Sequence, residues 1–214
     1  ALPVSGRTLH AVLAAGQPAL LFPGGVREAY KRRGEQYELF WPSSPEFARM
    51  AAKHDALIVP IAAVGAEDSM EIVLDSTQQQ ELPFGLGERA RQRAAAMPNV
   101  SDGQREAELG ESFVAPVVRP TEPDRWYFRA MAPIDTAQVD HRDADAAAQL
   151  YAQVRDDVAE GMRYLLAARE ADELRTLGAR AAWAARRGAE AALRGEFAPI
   201  SAEDAPTFDL DREY

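Results

Sequence analysis

The densest group of residues that could do chemistry lies in residues 20–35, LLFPGGVREAYKRRGE. A short apolar run stops at Pro23, two glycines follow, and Arg27 and Glu28 come after one intervening valine. Glycine lacks a Cβ and lets backbone amides approach a ligand closely. A guanidinium at the end of a strand can hold an anionic or carbonyl oxygen. The pattern therefore predicts a substrate-binding loop, although a tight turn followed by a surface arginine accounts for the same residues.

The spacings that mark other catalytic sites are missing from the sequence. There is no Gly-x-Ser-x-Gly elbow for an esterase nucleophile and no His-Glu-x-x-His zinc motif. The glycine pair before Lys31 lacks the second glycine of a nucleotide-phosphate loop. Asp143 and Asp145 lie near His141, but acids at a helix start explain them better than a metal does. We therefore predict no catalytic residue, no metal ligand and no bound cofactor.

The composition excludes further classes of site. The 214 residues contain no cysteine, which removes disulfides, thiolate metal sites and a cysteine nucleophile. Acidic residues outnumber basic ones by 34 to 24, and the resulting net charge of −10 disfavours nucleic acid as a partner. Hydrophobic residues make up 47% and charged residues 27%, as in an ordinary folded domain. No run of apolar residues is long enough to span a bilayer.

The elements that must position the loop follow a mixed α/β pattern. Residues 19–22, 56–64 and 125–131 are apolar runs typical of buried strands. Residues 8–15 form a short helical pattern that ends at a glycine. Residues 44–54 predict a second helix, with a serine cap, a proline at the first helical position and an acid in the first turn. Since strands separated by such a helix favour parallel crossovers, we expect an α/β fold with a mixed, mostly parallel sheet flanked by helices.

Three regions follow from this pattern. Residues 1–140 form the α/β portion, within which residues 78–121 are the least patterned and read as an irregular insertion. Residues 141–196 predict a C-terminal helical pair, and residues 197–214 predict an extended acidic tail. The first helix of the pair has apolar residues at helical spacing, at Ala147, Tyr151, Val154, Val158, Met162 and Leu165.

Several motifs resemble one lipid-modifying family. The FPGG-x-RE block that begins at Phe22 resembles the third motif of the lysophospholipid and diacylglycerol acyltransferase group, and IVPIAAVG with Pro60 resembles the fourth. Residues 20–68 as a whole look like the acyltransferase segment of the phytyl ester synthase / diacylglycerol acyltransferase-like proteins of chloroplasts. The resemblance continues through LPF at residues 82–84, RWYF at 125–128, the helix LYAQVRDDVAEGMRYL and the late APTFDL. It implies an incomplete glycerolipid acyltransferase-like fold.

The resemblance also implies an activity. It points to esterification of phytol or diacylglycerol with a fatty acyl group taken from acyl-CoA, acyl carrier protein or a lipid ester. The expected partners are lipid substrates and a membrane or lipid-droplet surface bound peripherally, and the expected location is the chloroplast, at thylakoids or plastoglobules. Arg27 is expected to be the principal polar contact, and Glu28 either orients it or is simply an acid at a helix start. The expected substrate-binding loop comprises Phe22, Pro23, Gly24, Gly25, Arg27 and Glu28.

One departure from the family pattern leaves the enzymatic status open. The family's general base is a histidine of an upstream His-x4-Asp motif, and His10, His54 and His141 all fail that spacing. We therefore expect the chain, which starts at Ala1, to be the later part of a longer acyltransferase that depends on an upstream domain. The alternative is a non-catalytic, acyltransferase-like interaction subunit of a plastid membrane assembly. In the first case an exposed sheet edge or apolar patch is expected near residues 12–22.

Overall fold

The computed structural model describes residues 6–96, 114–121 and 124–186. The helices and strands within these ranges are short, except for one long helix near the C-terminal end. In chain order they are α1 Gly6–Ala14, α2 Gly25–Ala29, α3 Glu46–Lys53, β1 Ile61–Val64, β2 Met70–Leu74, α4 Ser76–Gln80, α5 Leu86–Ala96, β3 Val117–Pro120, β4 Tyr127–Ala130, α6 Ala144–Ala171 and α7 Leu177–Arg186.

The long helix α6 connects the two parts of the core. Asp143 caps it by accepting hydrogen bonds from the backbone N–H groups of Asp145 (2.9 Å) and Ala146 (3.2 Å). The apolar stripe predicted a helix here, and the structure confirms it over 28 residues. The buried positions recur every three or four residues, as one helical face requires: Ala147, Leu150, Val154, Val158, Gly161, Leu165 and Ala168.

Each half of α6 packs against a different partner. The first half meets α3 in a cluster built on Ala48, Leu150 and Val154, with aromatic side chains around it. The second half covers one face of the β1–β4 ribbon, where the buried residues are Ala62, Val64 and Leu165. Although α6 is long, its outer face is charged, and no helix in the described part of the chain is both long and apolar enough to cross a membrane. The helix therefore packs against α3 with one half and against the β1–β4 ribbon with the other.

Strand pairing in the described residues is antiparallel. β1 pairs with β4 so that Ile61 lies opposite Ala130, and β2 pairs with β3 so that Met70 lies opposite Pro120. The expected strands at 56–64 and 125–131 are therefore present in shortened form, but they pair with each other in opposite directions. The predicted parallel crossover is not seen among these residues, and a mostly parallel sheet stays a prediction from the family resemblance.

The predicted strand at residues 19–22 is not a strand in the structure. Leu20 is 74% exposed and Phe22 is 72% exposed, and the segment is extended without a ladder partner in the described ranges. An apolar run becomes a strand only when a neighbouring strand takes up its backbone hydrogen bonds. The exposed apolar residues lie where the sequence led us to expect an uncovered patch.

The two predicted N-terminal helices are both present, with one difference in detail. α1 is followed by Gly16 at φ 66°, as the predicted glycine stop requires. α3 begins at Glu46, but Pro45 occupies the capping position and there is no side-chain cap. The hydroxyl of Ser44 instead lies 3.4 Å from the Glu46 carboxylate. The serine cap was therefore wrong, because Ser44 lies one residue too early to cap the first turn.

The described residues at both ends of the segment predicted as an irregular insertion contact each other. Gln78 completes a capping box with Asp75 at the start of α4, and the Gln79 side-chain amide donates to the carbonyl of Ala115 at 2.8 Å. Residues 97–113 lie outside the described residues. The second helix of the predicted pair, expected over 170–194, is described only as α7, after the turn that follows α6. The acidic tail at 197–214 also lies outside the described residues.

A matched pair of glycine substitutions tests the packing of α6. A Cβ at Gly161 would lie 2.8 Å from the Met131 sulfur and 2.9 Å from the Ala62 Cβ, whereas one at Gly178 would meet nothing within 4 Å. We expect Gly161→Ala to lower the free energy of unfolding by about 1–3 kcal/mol through overpacking. Gly178→Ala should raise it by up to about 1 kcal/mol through helix propensity. Urea denaturation followed by circular dichroism measures both, and equal effects of the two variants would contradict this packing.

Candidate functional site

The glycine loop predicted to bind substrate folds back tightly on itself. The Gly25 N–H donates to the Phe22 carbonyl at 3.1 Å, and Gly25 has φ 53°. A Cβ at Gly24 would lie 1.9 Å from the Glu28 side-chain carbon Cδ, so a larger residue there would force the Glu28 side chain to move. The first glycine therefore makes room for a carboxylate of the protein itself, and the second gives the backbone its left-handed turn.

Arg27 is buried and faces the interior of the protein. Its two terminal nitrogens donate to the two Glu35 carboxylate oxygens at 2.8 Å and 2.6 Å. Its guanidinium carbon lies 3.7 Å from the centre of the Phe40 ring. Such a bidentate pair stacked on an aromatic ring is a strong and directional contact. Arg27 therefore fixes the chain from α2 to residue 40, and its predicted contact with a substrate stays a prediction.

Glu28 holds the other side of the same segment. Its carboxylate accepts a hydrogen bond from the Phe40 N–H at 3.0 Å. Burial raises the pKa of Glu28, and the hydrogen bonds from Phe40 and Trp41 only partly offset this. The Glu28 carboxylate binds the Phe40 N–H and the Arg27 guanidinium binds Glu35, and orientation of Arg27 by Glu28 stays a prediction. The two side chains instead fix one loop from both ends.

An acidic turn after β1 binds the basic side of this loop. Glu67 accepts from the Lys31 ammonium at 2.7 Å with one carboxylate oxygen and from the Tyr37 N–H at 2.8 Å with the other. Lys31 is 9% exposed, so its ammonium is largely removed from water, whereas the Glu67 side chain remains 33% exposed. A buried lysine without such a partner would lose several kcal/mol of hydration, on the order of the penalty for an unpaired ion. The Lys31–Glu67 ion pair therefore holds the segment after the glycine loop against the turn that follows β1.

The neighbouring Asp68 binds Tyr37 and the end of α6. The Tyr37 hydroxyl donates to Asp68 and accepts from the Gly65 N–H at 3.0 Å. Arg169 donates to Asp68 at 2.6 Å and to Asp124 at 3.0 Å. Burial and the bond to Asp68 raise the pKa of Tyr37 to about 12, so the phenol stays protonated at neutral pH. Tyr37 has φ 62°, a strained conformation for an aromatic residue that this network maintains.

The network around the glycine loop is built from paired charges. Its members are cations paired with carboxylates, and within the described ranges no group of three or more histidines, cysteines and carboxylates could hold a metal ion. The sequence-based prediction named the residues of the glycine loop but not the residues that hold it in place. Those residues are Lys31, Glu35, Tyr37, Glu67, Asp68 and Arg169. The signal for them was the Gly-Ala-Glu-Asp turn directly after a buried strand.

A second feature lies on the β1–β4 ribbon, opposite α6. Five large apolar side chains from the two strands and their extensions point away from the helix and are 46–65% exposed. We call this surface the apolar sheet face; it comprises Leu57, Val59, Ile61, Trp126 and Phe128. The ribbon is therefore apolar on both sides but covered on only one, which is unusual for a sheet in water.

The relatives of the chain identify its family. Phytyl ester synthase 2, chloroplastic, of Arabidopsis thaliana is 38% identical over 214 residues, which is 98% of this chain. By sequence, the chain is phytyl ester synthase-like. Phytyl ester synthase 1, chloroplastic, of the same plant is 36% identical over 183 residues, or 83% of the chain. The chain spans 28% and 26% of the length of these two phytyl ester synthases. No protein-family model and no solved structure matches it.

The glycine loop and its supports lie inside the segment shared with phytyl ester synthase 2, since the match covers nearly the whole chain. The resemblance expected from the FPGG-x-RE block is thereby confirmed at the level of the family. The roles of individual loop residues are not decided by this match.

Two glutamate variants test the electrostatics of the loop, and their effects on stability have opposite signs. Burial raises the pKa of Glu28 above 4.5, so its ionised form costs stability at neutral pH and this cost disappears as pH falls through the raised pKa. The Arg27 hydrogen bond is the main cause that lowers the pKa of Glu35 below 4.5, so its contribution to stability is present above 4.5 and lost as pH falls through the lowered pKa.

We therefore expect Glu35→Gln to lower the free energy of unfolding at pH 7 by about 1–3 kcal/mol. Glu28→Gln should leave it unchanged or raise it, because the amide oxygen can still accept from Phe40. The Glu28→Gln difference should shrink as pH falls from 7 toward 4.5, through the raised pKa of Glu28. The Glu35→Gln difference should persist down to about pH 4.5 and shrink only below it, as pH falls through the lowered pKa of Glu35. Denaturation curves at several pH values measure this, and a destabilising Glu28→Gln with no dependence on pH would contradict the assignment.

Proposed function

We propose that this chain is part of an acyltransferase that esterifies a lipid alcohol, phytol or diacylglycerol, with a fatty acyl group in the chloroplast. The observation that carries the proposal is the 38% identity, across 98% of the chain, to a protein named chloroplastic phytyl ester synthase. The reaction forms an ester bond between the acyl carbonyl carbon and the alcohol oxygen. The bond from that carbon to the donor's sulfur or oxygen breaks, and the hydroxyl proton passes through a base to the leaving group.

The base is assigned by the family resemblance to a histidine motif that these 214 residues do not contain. Within the chain, the glycine loop is assigned to binding of the alcohol. Phe22 is exposed and precedes the turn, so it is the side chain of the loop that can contact an apolar substrate. Arg27 acts as a positioning residue, because both ends of its guanidinium are bound to Glu35. The acidic turn after β1 and α6 keep this loop rigid, as an active-site loop requires.

The apolar sheet face is assigned to contact with lipid. Its five side chains are large and exposed, and tryptophan is among them, as is common at membrane–water boundaries. A surface of this kind suits peripheral attachment to a thylakoid membrane or a plastoglobule, where the substrates reside. Burial of two or three such side chains in lipid contributes several kcal/mol, by the ordinary scale for apolar surface.

The function is tested by assaying the full-length protein with phytol or diacylglycerol and with acyl-CoA, acyl carrier protein or a lipid ester as donor. We expect Phe22→Ser to raise the KM for the alcohol about three- to tenfold with little change in kcat, since it removes apolar contact made equally in ground and transition states. Leu177→Ser, which changes a partly exposed leucine at the start of α7, serves as the control. Ester formation unaffected by Phe22→Ser would refute the assigned role of the loop.

Attachment to lipid is tested separately. The double variant Ile61→Ser and Phe128→Ser should reduce co-sedimentation with chloroplast-lipid vesicles at least fivefold, because it places two hydroxyls on the apolar sheet face. Val117 on β3 is exposed too but lies outside this face, so the Val117→Ser variant should bind vesicles like the wild type. Equal binding by all three proteins would remove the lipid role of the face.

A further inference from the structure

A cleft on the far side of α3 has a charge opposite to that of the protein as a whole. It has a volume of about 430 Å³ and lies between α1, α3 and the segment around His141. Its lining consists of Gly6, Arg7, His10, Glu46, Arg49, Met50, Lys53 and His141. The chain carries a net charge of −10, yet one carboxylate faces three permanent cations here. A local excess of positive charge in an acidic protein needs an explanation in terms of what it attracts.

Two of these cations are free to bind an anion. Arg49 donates to the Glu46 carboxylate at 3.0 Å, so these two charges compensate each other. Arg7 on α1 and Lys53 on α3 have no ion-pair partner in the described part of the chain. This contrasts with Arg27, Lys31 and Arg169, each of which is bound to a carboxylate.

A pair of histidines adds a titratable charge beside these cations. His10 Nδ1 lies 2.6 Å from His54 Nε2, a hydrogen bond that joins α1 to the end of α3. Desolvation, and then the nearby positive charges of His10 and Lys53, lower the pKa of His54, and His141 acts in the same direction. The charged groups around the pair are Arg7 from α1, Glu46, Arg49 and Lys53 from α3, Asp55 after it, and His141. Cations therefore dominate this surface, and a bound anion would favour protonation of the histidines.

We propose that this cleft binds the phosphate ester of an acyl donor or of a lipid headgroup, through Arg7 and Lys53 with His10 at its side. Arginine and lysine together are the usual ligands of phosphate, and histidines add charge where the anion needs it. The inference rests on the proposed acyltransferase function, because two of its candidate donors, acyl-CoA and acyl carrier protein, carry phosphate. It assigns recognition of the donor or headgroup to α1 and α3, on a surface separate in sequence from the glycine loop.

The test is binding of pyrophosphate to the full-length protein at constant ionic strength, measured by calorimetry. Arg7→Gln and Lys53→Gln should each weaken binding about five- to tenfold, because each removes one charge from a partly exposed site. Arg163→Gln, which removes an exposed charge from α6 outside the cleft, should bind like the wild type. Loss of affinity in all three variants alike would show only an effect of net charge and would overturn the site, as would absence of pyrophosphate binding.

Two further arms identify the source of the phosphate. Coenzyme A tests the soluble donor, and vesicles of phosphatidylcholine with and without phosphatidylglycerol test the headgroup. The proposal requires that binding in at least one arm weakens in Arg7→Gln and Lys53→Gln but not in Arg163→Gln. Pyrophosphate binding that is independent of both cleft cations, in a protein that still makes phytyl esters, would overturn this site and leave the acyltransferase function standing.

Discussion

The acidic turn between β1 and β2 is the constraint on which the other parts of the structure depend. Two adjacent carboxylates, Glu67 and Asp68, accept hydrogen bonds from the glycine-loop segment on one side and from the end of α6 on the other. Because these carboxylates lie directly after a buried strand, their positions are fixed by the sheet. The loop and the helix are far apart in sequence, and this turn is where they are held together.

Paired charges hold the glycine-loop segment and α6 together because the apolar core is made of small residues. Alanines and valines supply most of the buried positions, and the largest side chains that are fully buried are Val64 and Thr136. A core of this kind gives limited stabilisation per residue. Ion pairs with several hydrogen bonds fix the relative orientation of the segments that they join, which small apolar side chains cannot do. Examples are Arg27 with Glu35 and Arg169 with two aspartates. They also make the loop specific in shape, since a carboxylate left unpaired there would be costly.

Prediction from the sequence succeeded where one periodicity decided the structure. α6 repeats its apolar residues every three or four positions, and α3 has a proline and an acid at its start, so both helices were predicted close to their observed bounds. The run at residues 19–22 was misread as a strand because its composition is that of a strand, whereas strand formation depends on a partner elsewhere in the chain. The antiparallel pairing of β1 with β4 also depends on which segments meet in the fold, and the mostly parallel sheet stays a prediction.

At the candidate site, the sequence located the loop but not the contacts of its residues. Arg27 lies eight residues before Glu35, and nothing in that spacing distinguishes an internal ion pair from a free guanidinium. The alternative interpretation, a tight turn followed by a surface arginine, agrees with the observed backbone turn. It does not agree with the position of Arg27, which is buried and not on the surface. Long-range pairs such as Lys31 with Glu67 need the fold before they can be identified.

The two-sided apolar character of β1 has a consequence for how the ribbon finds its alignment. Where one face of a strand is polar, sliding by one residue would bury polar groups, and that cost fixes the register. β1 lacks this safeguard, since Ile61 and Ala63 on one side are as apolar as Ala62 and Val64 on the other. The register of β1 is fixed by side-chain size instead. Ala62 fits against Gly161, and a Cβ at Gly65 would come within 2.4 Å of the Arg125 carbonyl oxygen. The alignment of β1 with β4 is therefore set by the small residues Ala62 and Gly65, and not by an alternation of polar and apolar side chains.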